Sequence, residues 1–79
     1  MAKTKKTLTR SDITTAILAV RDSARTNMMD IPNVARVAHS LGYRAESVFL
    51  ASVDARKGYG PFVFRGDDSE FPETVEVSY

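Results

Sequence analysis

Seventy-nine residues, 43 % hydrophobic and 27 % charged, suffice for one small domain that buries about 60–65 % of its unfolded surface. They are too apolar for a wholly disordered chain. The absence of cysteine and the single histidine exclude disulfide scaffolds, thiolate zinc sites and histidine-rich metal sites. No apolar run approaches the roughly 20 residues that cross a bilayer, and no apolar stretch follows Lys3, Lys5 and Lys6 as a secretory signal requires, so a cytoplasmic location is expected. The net charge of +1 divides unevenly. Residues 1–65 carry all eleven Lys and Arg against five acids, a balance of +6, and residues 66–79 carry five acids and no base. Such asymmetry speaks to partners rather than to fold.

Residues 1–8 are polar and basic and read as a flexible tail ahead of one domain over 9–79. Thr9 is a candidate N-cap, with Asp12 placed as the acid of a capping box. Ile13, Ile17, Val20 and Ala24 recur at spacings of four, three and four, which puts them on one face of a helix reaching about Arg25, with Ala16 and Leu18 widening the stripe. Residues 26–30 are a connector. Asp30 caps a second helix with Pro32 in its first turn, Ile31, Val34, Ala35, Ala38 and Leu41 form its stripe, and Gly42 ends it in the left-handed region. A third helix is expected over Ala45–Arg56, stopped by Gly58 and Gly60. Phe62-Val63-Phe64 reads as a strand, residues 65–69 as a turn, and residues 74–79 alternate like a half-buried strand. The expected architecture is therefore α+β: three helices followed by a C-terminal hairpin of 62–65 with 74–78. An all-helical alternative continues the third helix through 62–64.

No set of residues spells an enzyme. His39 lacks an orienting partner and a nucleophile at a usable spacing. Asp67-Asp68-Glu70 lacks the calcium-loop pattern, and Gly58-Tyr59-Gly60-Pro61 lacks the lysine and hydroxyl of a phosphate-binding loop. Arg65-Gly66-Asp67 spells an adhesion tripeptide, a match that chance readily supplies. Neither a cofactor nor a metal is expected. Met28-Met29, near Tyr43 and Tyr59, suits core filling or a soft contact patch.

Ala38, Gly42 and Val48 have the spacing of a helix-turn-helix, and a hairpin after the third helix completes the order of a winged helix. Yet the exposed side of the reading helix, Arg44, Ala45, Glu46, Ser47, Phe49 and Leu50, is short of donors for bases and phosphates. The wing, residues 65–73, is acidic and phosphate would repel it.

Val20-Arg21-Asp22, Thr26-Asn27-Met28 with Asp30, Ala38, Gly42-Tyr43, Tyr59, Phe62-Val63 and Gly66-Asp67 together resemble a family of small phage and prophage proteins of uncharacterised function. Their pattern begins I-R-D-T-G-x-T-N-M-x-D. Ser23 and Ala24 depart from it where the family has Thr and Gly. The resemblance implies a viral or mobile-element setting inside a host cell, and in setting and size the chain is similar to anti-CRISPR inhibitors of type I complexes. The expected function is accordingly a non-enzymatic inhibitor bound to a host CRISPR effector (Cascade-type) complex, as a monomer or small homo-oligomer, with Asp67, Asp68, Glu70, Glu73 and Glu76 occupying the basic surface that takes target DNA and Phe71 as an apolar anchor. The basic residues Arg10, Arg21 and Arg25 are the alternative binding face. A winged-helix DNA-binding regulator is the alternative function, and a structural phage component stands third.

Overall fold

The computed structural model describes residues 4–79. Their elements run β1 (Lys5–Thr9), α1 (Arg10–Ser23), α2 (Ile31–Ser40), α3 (Arg44–Leu50), α4 (Val53–Arg65) and β2 (Thr74–Ser78). The α+β class is as expected; among the described residues there are four helices rather than three. Two further corrections concern the strands. Residues 5–8, expected in a flexible tail, form β1, which pairs antiparallel with β2 in the register Lys5↔Ser78 through Thr9↔Thr74. Residues 62–65, expected as the partner of 74–78, are helical. The rest of that tail, residues 1–3, lies outside the described residues.

Both strand corrections have one physical source. Thr7-Leu8-Thr9 is β-prone but short, and only its distant partner makes it a strand. Leu8 and Val77 are buried on the inner face, opposite Val75 and Lys6 respectively. Thr4 and Tyr79 close the ends with two backbone bonds of 2.9 and 2.8 Å. Phe62-Val63-Phe64 has strand propensity but follows Tyr59, which is buried one helical turn earlier. Packing of Tyr59 and Phe62 extends α4 across Gly58–Pro61, at the cost of the one helix bond that Pro61 cannot donate.

The helix ends obey local rules. Thr9 and Asp12 form the expected capping box, the Asp12 amide donating to Thr9 Oγ1 at 3.1 Å and the Thr9 amide to Asp12 Oδ2 at 2.8 Å. Asp30 caps α2. Gly42, at φ +98°, closes α2 in a Schellman turn: its amide donates to the His39 carbonyl at 3.1 Å and the Tyr43 amide to that of Ala38 at 2.9 Å. The expected third helix is split at Ser52, whose backbone is extended as the N-cap of α4 and whose hydroxyl donates to the Phe49 carbonyl at 2.6 Å. Val48, the branched residue of the helix-turn-helix spacing that would pack back on the second helix, is 42 % exposed, while Phe49 and Leu50 are buried.

One core joins both halves of the chain. Leu8, Ile13, Ile17, Val20, Val34, Ala38, Leu50, Ala55, Tyr59 and Phe71 all belong to it. Phe71, from the acidic loop after α4, is 1 % exposed. Its ring meets Phe49 edge-on at a centroid distance of 6.3 Å and Phe62 at 6.0 Å. Gly58 lies directly beneath it: a Cβ there would come within 2.6 Å of the Phe71 ring. Ala24 ends α1 in the left-handed region at φ 54°, a conformation that costs an L-residue about 1–2 kcal/mol.

These two positions call for opposite substitutions. Gly58→Ala should destabilise by about 1–3 kcal/mol by overpacking the Phe71 ring. Ala24→Gly should stabilise by about 0.5–1 kcal/mol, the left-handed cost less the extra chain entropy of glycine. Thermal or urea unfolding reads both, and a Gly58→Ala protein as stable as the parent would contradict the close packing.

Candidate functional site

The acidic residues lie in a loop that the core holds from beneath. Gly66 terminates α4 at φ 71°, and Asp67 Oδ1 then accepts the Ser69 amide at 3.0 Å. The Phe71 amide donates to the Asp68 carbonyl at 3.0 Å. Arg10 grips the loop from the start of α1: Nε and Nη2 donate to the Phe71 carbonyl at 3.1 and 2.7 Å, and its amide donates to the Glu73 carbonyl at 3.0 Å. Phe71 is thus an anchor into the protein's own core, which corrects its expected role as an anchor for a partner.

The loop's carboxylates differ in their surroundings. Bonds from the Ser69 side chain and amide, aided by the charges of Arg65 and Arg10, hold Asp67 below the ordinary carboxylate value. Asp67 and Asp68 are half-buried, and Glu70, Glu73 and Glu76 are exposed. Glu70 lies 3.6 Å from Lys57 and Glu76 3.8 Å from Lys5; exposed pairs of this kind are worth about 0–1 kcal/mol and exchange readily. Asp67, Asp68, Glu70 and Glu73 share the loop, whereas Glu76 stands on β2.

The basic residues of the alternative site are each engaged separately. Arg10 is spent on the loop. Arg21 lies 3.7 Å from Asp22, and Arg25, beyond the end of α1, bonds Ser40 of α2 at 3.2 Å.

The Thr26-Asn27-Met28-x-Asp30 motif is the α1–α2 connector. Asn27 Oδ1 accepts the Met29 amide at 2.8 Å, and the Asp30 amide returns to the Asn27 carbonyl at 3.0 Å. Asn33 Nδ2 donates to Thr26 Oγ1. The Tyr59 hydroxyl donates to the Met28 carbonyl at 2.6 Å, and burial pushes its pKa up to about 12. Met28 then joins Ile17, Leu18, Phe62 and Val63 in an apolar groove of about 260 Å³ with Arg21 at its rim. The sequence reading missed this groove because it placed Phe62 and Val63 in a strand. Met29 and Phe64 are exposed.

In the α2–turn–α3 unit, Ser47 Oγ donates to the Ala35 carbonyl at 2.7 Å, Glu46 is 5 % exposed and the Arg44 guanidinium stacks over Tyr79 at 5.8 Å. Arg44 and Ser47 of the expected reading helix are therefore engaged within the protein and Glu46 is buried, and among the described residues no hairpin follows to make a wing. Among the described residues, no three His, Asp or Glu side chains converge as a metal site, and no helix is long and apolar enough to cross a membrane.

Two measurements probe these contacts. Tyr59→Phe should cost about 1–2 kcal/mol by stranding the Met28 carbonyl. Asp12 and Asp67 are both lowered from 3.8, so in the acid the unfolded chain binds more protons than the folded one, and stability falls as pH drops below that value. Asp67→Asn should flatten the fall, measured as the unfolding midpoint between about pH 2 and 5.

No curated protein and no solved structure matches this chain. Residues 10–67, which are the four helices and the first residues of the acidic loop, match the profile of a domain of unknown function, DUF5049. The matched span is most of the chain, and the protein belongs to that family.

Proposed function

We propose that this protein is a non-enzymatic inhibitor that uses the loop 66–73 to occupy a basic protein surface, and that the surface is the DNA-binding face of a type I CRISPR surveillance complex. The observation that carries the reading is the fixing of the loop from below. Phe71 fills the core and Arg10 bonds the loop's carbonyls, so Asp68, Glu70 and Glu73 are presented without a large ordering cost on binding. Asp67 stays ionised while its carboxylate builds the turn. Carboxylates held this way compete with phosphates for the same lysines and arginines. The weak pairs of Glu70 with Lys57 and Glu76 with Lys5 can be exchanged for stronger ones at a partner. The CRISPR partner and the host-cell setting come from the resemblance to phage proteins. Small cofactor-free proteins of that setting often act by occupying a host machine.

A pull-down against type I effector complexes, paired with an interference assay in cells, tests the proposal. Binding and loss of interference are expected, and Asp68→Lys, Glu70→Lys and Glu73→Lys together should weaken binding at least a hundredfold with the unfolding midpoint little changed. Absence of both complex and inhibition overturns it. The Schellman-turned α2–α3 unit favours a second reading, a DNA-binding regulator. A mobility shift on duplex DNA at about 50 mM salt would support that reading.

A further inference from the structure

We propose a phosphate-binding pocket formed by Arg25, Arg36 and Ser40, distinct from the acidic loop. These residues and Val37 line a cavity of about 260 Å³ between the end of α1 and the outer face of α2. Residues 36 and 40 are one turn apart and share that face. Arg25 arrives from the other side because Ala24 turns the chain in the left-handed region. No Asp or Glu lines the cavity.

What marks the pocket is how its cations are oriented. Arg25 Nη1 donates to Ser40 Oγ at 3.2 Å, and Ser40 in turn donates to the Val37 carbonyl at 2.8 Å. Arg36 donates through Nε to Asn33 Oδ1 at 2.9 Å and through Nη2 to the same oxygen. Asn33 is itself fixed by Thr26. Both guanidiniums are aimed by neutral acceptors, and among the described residues neither forms an ion pair. Two like charges thus border one cavity with no counter-charge, an arrangement that an anion completes.

Geometry selects the anion. A guanidinium presents paired donors in a fixed fork that matches phosphate oxygens. With the Ser40 hydrogen given to Val37, the donors left are the Nε–Nη2 fork of Arg25 and the outward Nη hydrogens of Arg36, and these suit a terminal phosphoryl group, which has three unsubstituted oxygens, better than a phosphodiester, which has two. The ligand class is a small phosphate monoester or free phosphate. Arg25, Arg36 and Ser40 are exposed, so affinity is modest and falls with salt.

The test is a titration of the folded protein with inorganic phosphate, followed by NMR at the Arg25 and Arg36 Nε–H groups and the Ser40 amide, at constant ionic strength of about 100 mM. Saturable shifts with a dissociation constant on the order of 1 mM are expected. Arg25→Gln and Arg36→Gln should each weaken binding about tenfold, and the double variant should abolish the shifts while its circular dichroism is unchanged. Linear shifts, or equal binding by the double variant, overturn the pocket. Dimethyl phosphate binding as tightly as phosphate overturns the monoester assignment. A phosphoserine tetrapeptide binding more than tenfold tighter than phosphate overturns the small-ligand assignment in favour of a modified protein.

Discussion

The contact of the Phe71 ring with Gly58 governs the arrangement of the molecule. The ring needs a residue without a Cβ beneath it, and it then reaches Phe49 and Phe62 at once. Those partners sit on α3 and α4, so one side chain from a loop fixes two helices against each other. The loop's backbone is left exposed above, where Arg10 takes up the Phe71 carbonyl. The acidic character of the loop and its anchoring therefore have separate causes. Glu70 and Glu73 are surface residues, and their position is a property of the core.

A second constraint acts from the opposite end of the helical unit. The α1–α2 connector makes its own turn through Asn27 and Asp30, and Tyr59 ties it to α4 through the Met28 carbonyl. The residues that make Thr26-Asn27-Met28-x-Asp30 distinctive are thereby accounted for by backbone geometry without any ligand. The same connector delivers Thr26 to Asn33 and so, through one more side chain, sets Arg36.

Local signals were legible and distant ones were not. The capping box at Thr9–Asp12, the cap at Asp30, the turn at Gly42 and the apolar stripes of α1 and α2 each depend on residues within one or two turns, and the sequence declares them. The break at Ser52 depends on a choice between two continuations of an apolar run, which periodicity does not separate. Phe62-Val63-Phe64 has β propensity, and only packing by Tyr59 and Phe71 overrides it. For β1 the deciding partner lies some seventy residues away, beyond any window. The acidic cluster was plain from composition, but Phe71, in its midst, read as a surface aromatic because nothing local says that Gly58 waits beneath it. Arg25 reads with Arg10 and Arg21 as a basic face, and nothing local in the sequence pairs it with Arg36.

The sheet lies outside the span of the family match, with β1 before residue 10 and β2 after residue 67. It joins the two ends of the chain, and Thr4 and Tyr79 form its outermost rung. This arrangement has a mechanical meaning. Tension applied to the two ends would not shear the strands along their length. It would open the ladder from the Thr4–Tyr79 rung inward, loading its hydrogen bonds one after another until Thr9 and Thr74 part. Beyond that point, strain on the loop would begin to draw Phe71 out of its slot. The protein is thus weak against pulling from its ends, in the manner of a clasp, even though the helices it closes are stapled together at the core.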